Sequence, residues 1–346
     1  MTLSSDQKFM QRCFEIALLG KGRTSPNPTV GAVLVYKNQI IGEGFHEQYG
    51  TAHAEVNAVK SVPSHLRKLI PEATLYVSLE PCCVYGKTPP CTNLILENKI
   101  KKVVVATRDL SPNVAGNGLE ILRQNGVEVK EGILESKGKE IAASRNSLVS
   151  KNRPYIILKY AQSLDGKMGT IGKQTWLSNQ YSITLSHKWR SEVDGILVGP
   201  KTVVIDDPAL TTRHYFGKSP KRIILDPQNN LASDHKVFTL DQQFICVRQG
   251  EKDFSTSSNF WSLNFKKDNW LNELMEALAN QGIATLMVEG GSKTLQLFLD
   301  SGLWDEARVF STEKIIGEGV QAPKMNFQPV KSFQILKDKL HYFFNR

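Results

Sequence analysis

The chain has only five cysteines in 346 residues, an odd number, and three of them (Cys82, Cys83 and Cys91) fall within ten residues. That excludes the dense disulfide framework of a small secreted domain and favours metal binding or catalysis. No apolar run approaches the roughly 18 residues of a membrane span. The opening residues have no apolar core behind a basic start, so no signal peptide is read. The expectation is a cytoplasmic protein with no membrane partner. There is no internal repeat and no low-complexity tract. Hydrophobic residues make up 40% and charged residues 22% of the chain, close to an average globular protein, which argues against disorder. There is also no long basic run. The net charge is +9, with 18 Lys/Arg against 14 Asp/Glu through residue 150 and 25 against 20 after it. Both halves are mildly basic, which suits an anionic ligand such as a phosphate. A dedicated nucleic-acid binder concentrates its charge, so none is expected as a partner.

The length suits two domains. Apolar spacing predicts a helix over residues 6–20, capped by Ser5 or Asp6 and stopped at Gly20. Residues 24–28 form a turn-rich loop, and residues 30–36 and 39–45 a hairpin around Lys37 and Asn38. Helices are predicted at 53–61, 91–98 and 119–125, with strands at 74–79, 102–107 and 127–129. The alternation predicts an α/β layered domain. Residues 135–153 are polar and basic and are read as linker, giving domains at 1–145 and 152–346. The second domain repeats the α/β pattern. Its predicted strands are 155–160, 195–198, 222–225, 244–247 and 285–288, its helices 180–192, 270–280 and 294–302, and it ends in strands at 306–310 and 342–344.

The chemistry concentrates in the first half. His53 and Glu55 sit at a predicted helix start, Cys82 follows Pro81, and Cys91 follows Pro90 at another helix start. One imidazole and two thiolates form the protein ligand set of a catalytic zinc, leaving the fourth tetrahedral position for water. That water is acidic enough to give hydroxide at neutral pH. Glu55, two residues from the histidine, reaches the site without ligating and can carry a proton to leaving ammonia. Helix N-termini at His53 and Cys91 favour thiolate. This H-x-E…P-C pattern points to zinc-dependent hydrolytic deamination. Cys83 adjoins Cys82 too closely to share the same metal and is read as a neighbour.

Eight residues separate Cys82 from Cys91, where nucleobase deaminases commonly have two. The insert includes Gly86, Lys87 and Thr88, suited to a phosphate or a polar ring edge. The second half has no GxGxxG fingerprint, since Gly116-Asn117-Gly118 lacks the third glycine. Gly290-Gly291-Ser292 instead lies between a predicted strand and a helix, where backbone N–H groups can cradle a pyrophosphate. Arg190 and Arg213 are candidates to hold a substrate phosphate bidentately. Lys159, in the middle of a buried strand, is a candidate substrate contact. Asp206 is a candidate to bind cofactor or to position substrate.

The segment from Pro81 to Cys91, with its Gly86-Lys87-Thr88-Pro89-Pro90 ending, resembles the bifunctional riboflavin-biosynthesis deaminase–reductases. So do the strings 26–31, 42–46, 53–55 and 114–118. In the second half the resemblance continues at 158–166, at Thr202-Val203 with 206–211 and Arg213, and at 288–291. The resemblance implies a cytidine-deaminase-like three-layer domain followed by a dihydrofolate-reductase-like α/β domain. It implies deamination of a diaminopyrimidinone ribosylamino 5′-phosphate by a zinc enzyme, then reduction of its ribosyl group to ribityl with NADPH. By position, it implies cofactor contacts at Ala161, Trp176, Thr202, Asp206, Gly290, Gly291 and Ser292. Substrate contacts are implied at Asn27, Lys159, Gln174, Arg190, Leu210, Arg213 and Glu289. A homo-oligomer is expected on the same ground. The chain departs from the pattern at Val84 (family His), Leu110-Ser111 (Pro-Asn), Ala161 (Gly) and Pro227 (a small hydroxyl residue), and the loop at 170–172 is one residue short. Three other readings compete: a nucleic-acid-editing zinc deaminase with an accessory domain, a zinc-stabilised binding protein without chemistry, and an active deaminase joined to an inactive reductase.

Overall fold

The structure, a computed structural model, describes residues 3–241, 243–255 and 258–345. It divides into two compact units, Met1–Arg153 and Pro154–Arg346.

The first unit is built on a five-stranded sheet. Its strands are β1 (Gly31–Tyr36), β2 (Gln39–Phe45), β3 (Thr74–Val77), β4 (Lys102–Val105) and β5 (Glu128–Lys130), in the order β2-β1-β3-β4-β5. β1 pairs antiparallel with β2 and β3, and β3, β4 and β5 run parallel. Lys37 and Asn38 both have positive φ, as a two-residue hairpin turn requires. Helix α1 (Ser5–Ala17) buries Met10, Cys13, Phe14 and Ile16 on one face of the sheet. Helices α2 (Ala54–Ser61), α3 (Cys91–Glu97) and α4 (Asn117–Gln124) cover the other face. The result is the expected three-layer arrangement.

Two expectations are corrected here. The α1 cap is Ser4, in a reciprocal capping box with Gln7, one residue before the expected Ser5 or Asp6. Most of the segment read as linker is helical, forming α5 (Glu135–Ile141) and α6 (Ala143–Lys151). Its polar surface hides a small apolar anchor, since Ile141, together with Ile133 and Leu134 just before the segment, packs on the α1 side of the core. Gly138 lets α5 approach closely, because a Cβ there would sit 3.0 Å from Ala106.

The second unit holds a nine-stranded sheet of order β11-β10-β9-β8-β12-β6-β13-β16-β15. The strands are β6 (Tyr155–Gln162), β8 (Gly195–Val198), β9 (Lys221–Asp226), β10 (Phe244–Gln249), β11 (Phe260–Leu263), β12 (Thr285–Gly290), β13 (Glu306–Ser311), β15 (Lys331–Ile335) and β16 (Asp338–Phe344). From β11 to β13 all neighbours are parallel, and β16 and β15 add an antiparallel edge. A separate short ribbon joins β7 (Lys167–Gly169) to β14 (Val320–Gln321). Helices α10 (Trp270–Asn280) and α11 (Ser292–Asp300) pack on one face of the large sheet. On the other lie α7 (Gln180–Ser191), α8 (Pro200–Asp206) and α9 (Lys236–Thr239). Burial on both faces explains why the parallel strands read as continuous apolar runs. Lys159 interrupts one such run. Sequence reading missed β7, β11, β14, β15, α8 and α9, all short or at an edge.

Candidate active sites

In the first unit, three helix or strand ends converge. His53 is the N-cap of α2, and Cys91 opens α3 behind Pro90. Cys82 lies in the loop that leaves β3. The α2 backbone can lie close against β2 because Gly42 and Gly44 have no side chains. A Cβ at Gly42 would sit 2.5 Å from the Ala58 carbonyl oxygen, and one at Gly44 would sit 2.3 Å from the Ala58 nitrogen.

The ligand atoms of His53, Cys82 and Cys91 all lie within 4.8 Å of one another. His53 Nδ1 is 3.4 Å from Cys82 Sγ and 3.3 Å from Cys91 Sγ. A tetrahedral zinc with ordinary bond lengths sets nitrogen and sulfur about 3.5 Å apart, so the donor set fits that ion. Cys91 also donates its backbone N–H to Cys82 Sγ at 3.3 Å. Hydrogen bonds from Cys91 and His53 pull the Cys82 thiol down to about 4, and Cys91, donating to that thiolate, is held up. The hydrogen bond to Cys82 raises His53. Cys83 points elsewhere, to the Asn113 carbonyl at 3.6 Å, and is not among the clustered donors.

Glu55 is buried, with 4% exposure. Burial, then the charge on Cys82, pushes its carboxyl up to about 7. A group so placed changes protonation near neutral pH, as a proton carrier must.

Two supports were not foreseen. The Glu80 carboxylate accepts backbone N–H groups from Asp109 at 3.2 Å, Gly116 at 3.0 Å and Gly118 at 3.0 Å. This ties the Pro81-Cys82 segment to the 109–118 loop. Gly116 has φ +86°, and a Cβ at Gly118 would sit 2.2 Å from the Pro81 carbonyl oxygen. The Gly-Asn-Gly string thus serves the metal loop. His46 bridges Asn27 Nδ2 at 3.2 Å and the Ala52 carbonyl at 3.0 Å, with its ring 5.3 Å from that of His53. Asn27 is therefore held beside the site. Thr88 Oγ1 lies 3.4 Å from His53 Nε2, and Lys87 stacks over Tyr49 at 4.2 Å.

In the second unit Thr202, Glu289, Gly290, Gly291 and Ser292 lie at or just beyond the carboxyl ends of β8 and β12, and Ala161 near that of β6, where parallel sheets bind ligands. Gly199 and Gly291 cap α8 and α11. Gly199 N–H donates to the Gly290 carbonyl at 2.8 Å. Gly290 has φ +131°, and Cβ atoms at Gly290 and Gly291 would come within 3.6 and 3.3 Å of Thr202 Oγ1. Thr202, Gly290, Gly291 and Ser292 are thus brought together around two helix starts. Such a cradle fits the phosphates of a dinucleotide. Ser292 Oγ also donates to the Gln321 carbonyl at 2.5 Å. Asp206 closes α8 and is raised by burial, and its carbonyl accepts from Gln174 Nε2 at 3.2 Å. Trp176 is exposed, and its carbonyl accepts from Lys314 at 2.6 Å. Ala161 is half-buried beside Phe310 in the β6–β13 register.

Several residues expected at the substrate also make contacts inside the protein. Arg190 does not present a free fork: its Nε and Nη2 bond both Glu289 oxygens at 2.9 and 2.7 Å, and Nη1 bonds the Thr211 carbonyl at 3.1 Å. Glu289 is correspondingly occupied. Burial pushes it up, but the charges of Arg190 and Lys159 prevail and hold it at about 2. The Leu210 side chain is 2% exposed and lies in the core, with its main chain at φ +54°. Lys159 is lowered by burial, against the opposing pull of Glu289, and its ammonium lies 5.9 Å from the Phe310 ring centre. Arg213 is exposed.

The first unit thus has the fold and donor set of a zinc-dependent deaminase, and the second has the sheet and glycine turn of a nucleotide-cofactor reductase. The family model described as "Cytidine and deoxycytidylate deaminase zinc-binding region" matches residues 3–107, and "RibD C-terminal domain" matches residues 154–340. The riboflavin biosynthesis protein RibD of Aquifex aeolicus is 38% identical over 97% of this chain and 95% of its own length. That of Bacillus amyloliquefaciens is 37% identical over 99% and 92%. A crystal structure of a diaminohydroxyphosphoribosylaminopyrimidine deaminase/5-amino-6-(5-phosphoribosylamino)uracil reductase from Thermotoga maritima superposes with a TM-score of 0.87 at 36% identity, covering 98% of each chain. The chain belongs to the RibD family, bifunctional deaminase–reductases of riboflavin biosynthesis that use zinc in the first domain and NADPH in the second. The editing-deaminase reading, with its accessory domain, is not favoured, because the second half matches the reductase domain. No helix among the described residues is long and apolar enough to cross a membrane.

Proposed function

We propose that this chain deaminates 2,5-diamino-6-ribosylamino-4(3H)-pyrimidinone 5′-phosphate. It then reduces the ribosyl group, giving 5-amino-6-(5-phosphoribitylamino)uracil. The observation that carries this reading is the buried Glu55 carboxyl two residues from a one-nitrogen, two-sulfur donor set.

In this reading His53, Cys82 and Cys91 hold the zinc. When bound, zinc supplies the Lewis acidity that makes water nucleophilic at neutral pH. Glu55 takes a proton from the attacking water and returns it to the departing amine, so the 2-amino group leaves as ammonia and a carbonyl remains. Asn27, oriented by His46, contacts the pyrimidine. In the second unit Thr202, Gly290, Gly291 and Ser292 hold the cofactor phosphates, and Ala161, Trp176 and Asp206 flank them. When bound, NADPH supplies the hydride. Lys159 and Gln174 contact the substrate, as does the Leu210 main chain. Arg213 contacts its phosphate. Arg190 and Glu289 act as a pair that fixes the substrate side of the cleft. The enzyme works in the cytoplasm as a homo-oligomer.

The test supplies the diaminopyrimidinone ribosylamino phosphate and NADPH to zinc-loaded protein, and follows ammonia release and NADPH oxidation separately. Both signals are expected. Ammonia without NADPH oxidation, even when the deaminated compound is provided, would remove the reductase assignment. Neither signal would remove the substrate assignment.

A further inference from the structure

Among the described residues, the buried ring of His187 near the reductase cleft has a nitrogen without a hydrogen-bond partner. His187 lies in α7, three residues before Arg190 and therefore on the same helical face. Its ring is 3% exposed, and its Nδ1 is buried without a hydrogen-bond partner. A core histidine normally bonds both ring nitrogens or reaches water, because an unmade buried hydrogen bond costs about 1–3 kcal/mol. The ring stands edge-on to His214, with centroids 4.7 Å apart at 88°.

The loop that brings His214 there is built to stay. Thr212 bonds Ser219 Oγ at 3.2 Å through its N–H and the Gly217 carbonyl at 3.0 Å through its hydroxyl. Arg190 holds the Thr211 carbonyl. Gly217, at φ +140°, lies so close to Ser191 that a Cβ there would come within 2.6 Å of the Ser191 Cβ. The loop thus lies over α7 and sets Arg213 and His214 near His187.

The groups facing His187 are Arg190, Arg213, His214 and Glu289, and Glu289 also feels the charge of Lys159. Burial and the neighbouring cations keep the imidazole neutral, down at about 4. Glu289 neutralises Arg190 and leaves Arg213 as the unpaired guanidinium. Two guanidiniums and one carboxylate therefore surround a neutral ring with a spare nitrogen, and the carboxylate is taken up by Arg190.

We infer that His187 is a ligand of the phosphate monoester of the reductase substrate, completing with Arg213 a site that Arg190 alone cannot form. The inference rests on the reductase reading above. A neutral imidazole donates one N–H to a phosphate oxygen. Neutrality also adds no further cation beside Arg190 and Arg213. Once the dianion is bound, its charge favours the protonated ring, so affinity and protonation rise together.

The test uses full-length, zinc-loaded protein, wild type and H187Q. Its substrates are the deaminated ribosylamino phosphate and the same compound without phosphate. For the phosphorylated substrate, H187Q is expected to raise KM about tenfold with kcat little changed. For the dephosphorylated one, it should change neither. Equal losses on both substrates overturn the inference. The other phosphate monoester present is the cofactor's 2′-phosphate. If H187Q instead changes the ratio of NADPH to NADH use, the site belongs to the cofactor and the inference is wrong. A second measurement covers a variant that folds poorly. In histidine-labelled wild-type protein, with the signal assigned through H187N, inorganic phosphate should move the His187 titration upward. An unmoved titration at saturating phosphate overturns the inference. Wild-type protein that oxidises NADPH with neither substrate refutes the underlying reductase reading instead.

Discussion

The two units build their sites from different materials. In the deaminase unit, the proposed site rests on four side chains, and each sits within a short motif at a helix start or strand end: His53, Glu55, Cys82 and Cys91. In the reductase unit, the proposed site consists largely of backbone at Gly199, Gly290 and Gly291, together with charges already paired inside the protein, above all Arg190 with Glu289. A hydrolysis that must move protons needs specific titratable atoms. A hydride transfer needs mainly a correctly shaped surface on which two ligands meet. Side-chain chemistry leaves a motif in the sequence, and shape leaves only small residues and spacing.

That contrast is sharpest at Glu55. Glu55→Gln should lower ammonia release by about 10²–10⁴-fold, the range of a lost general acid–base. Bound zinc, measured by metal analysis, and NADPH oxidation of the deaminated compound should both stay at wild-type levels. Loss of both activities together would break the comparison. In the reductase unit the largest effect should be on stability. Arg190→Met leaves Glu289 buried without its partner, and an orphaned buried charge costs about 3–5 kcal/mol. Denaturant unfolding of that unit should show it, with the deaminase transition unmoved. Gly118→Ala should cost the deaminase unit about 1–3 kcal/mol through overpacking against the Pro81 carbonyl. It should also weaken zinc about 10–100-fold by shifting the Cys82 loop; a competition titration with a chelating dye measures this.

Acid should separate the units further. His187 is lowered from 6.5 to about 4 on folding, so the unfolded chain binds a proton first as pH falls below 6.5. Stability from the neutral ring is therefore lost between those two values. Glu289, held at about 2 against 4.5, adds a loss as pH falls through 4.5 toward 2. Both act in the same direction, so the reductase unit should lose stability continuously from pH 6.5 downward. H187Q should remove the upper part of that slope in a series of thermal melts. The smallest effect expected is Ser4→Ala, about 1 kcal/mol from loss of the α1 capping box, visible in the melting of the first unit alone.

The metal ligands were legible because their chemistry is rare and each motif is local. The three-layer domain was legible because helix and strand periods alternate cleanly from residue 31 to residue 130. Where sequence reading fell short, the missing information was long-range. Residues 135–153 looked like linker because few of their side chains are apolar, and the anchors that make them helical face a core built by α1. Arg190 looked like an open phosphate fork, yet its partner Glu289 is 99 residues away. That the Leu210 side chain packs in the core was not legible either. Glu80 and His46 were passed over because their partners are backbone groups in other segments. His187 gave no signal at all, since an unsatisfied nitrogen exists only once its surroundings are known.

The sequence by itself determined the order of the two α/β units, the histidine and cysteines of the donor cluster with a carboxyl two residues from the histidine, and the glycine turn at residues 290–291. These depend on residue type and on spacing along one helix or loop, which the chain states directly. Only the tertiary structure decided which charges are paired, which glycines are required by a close approach, and which buried nitrogen is left for a ligand. Those properties belong to pairs of atoms distant in sequence, and desolvation and packing fix them only when the chain has folded.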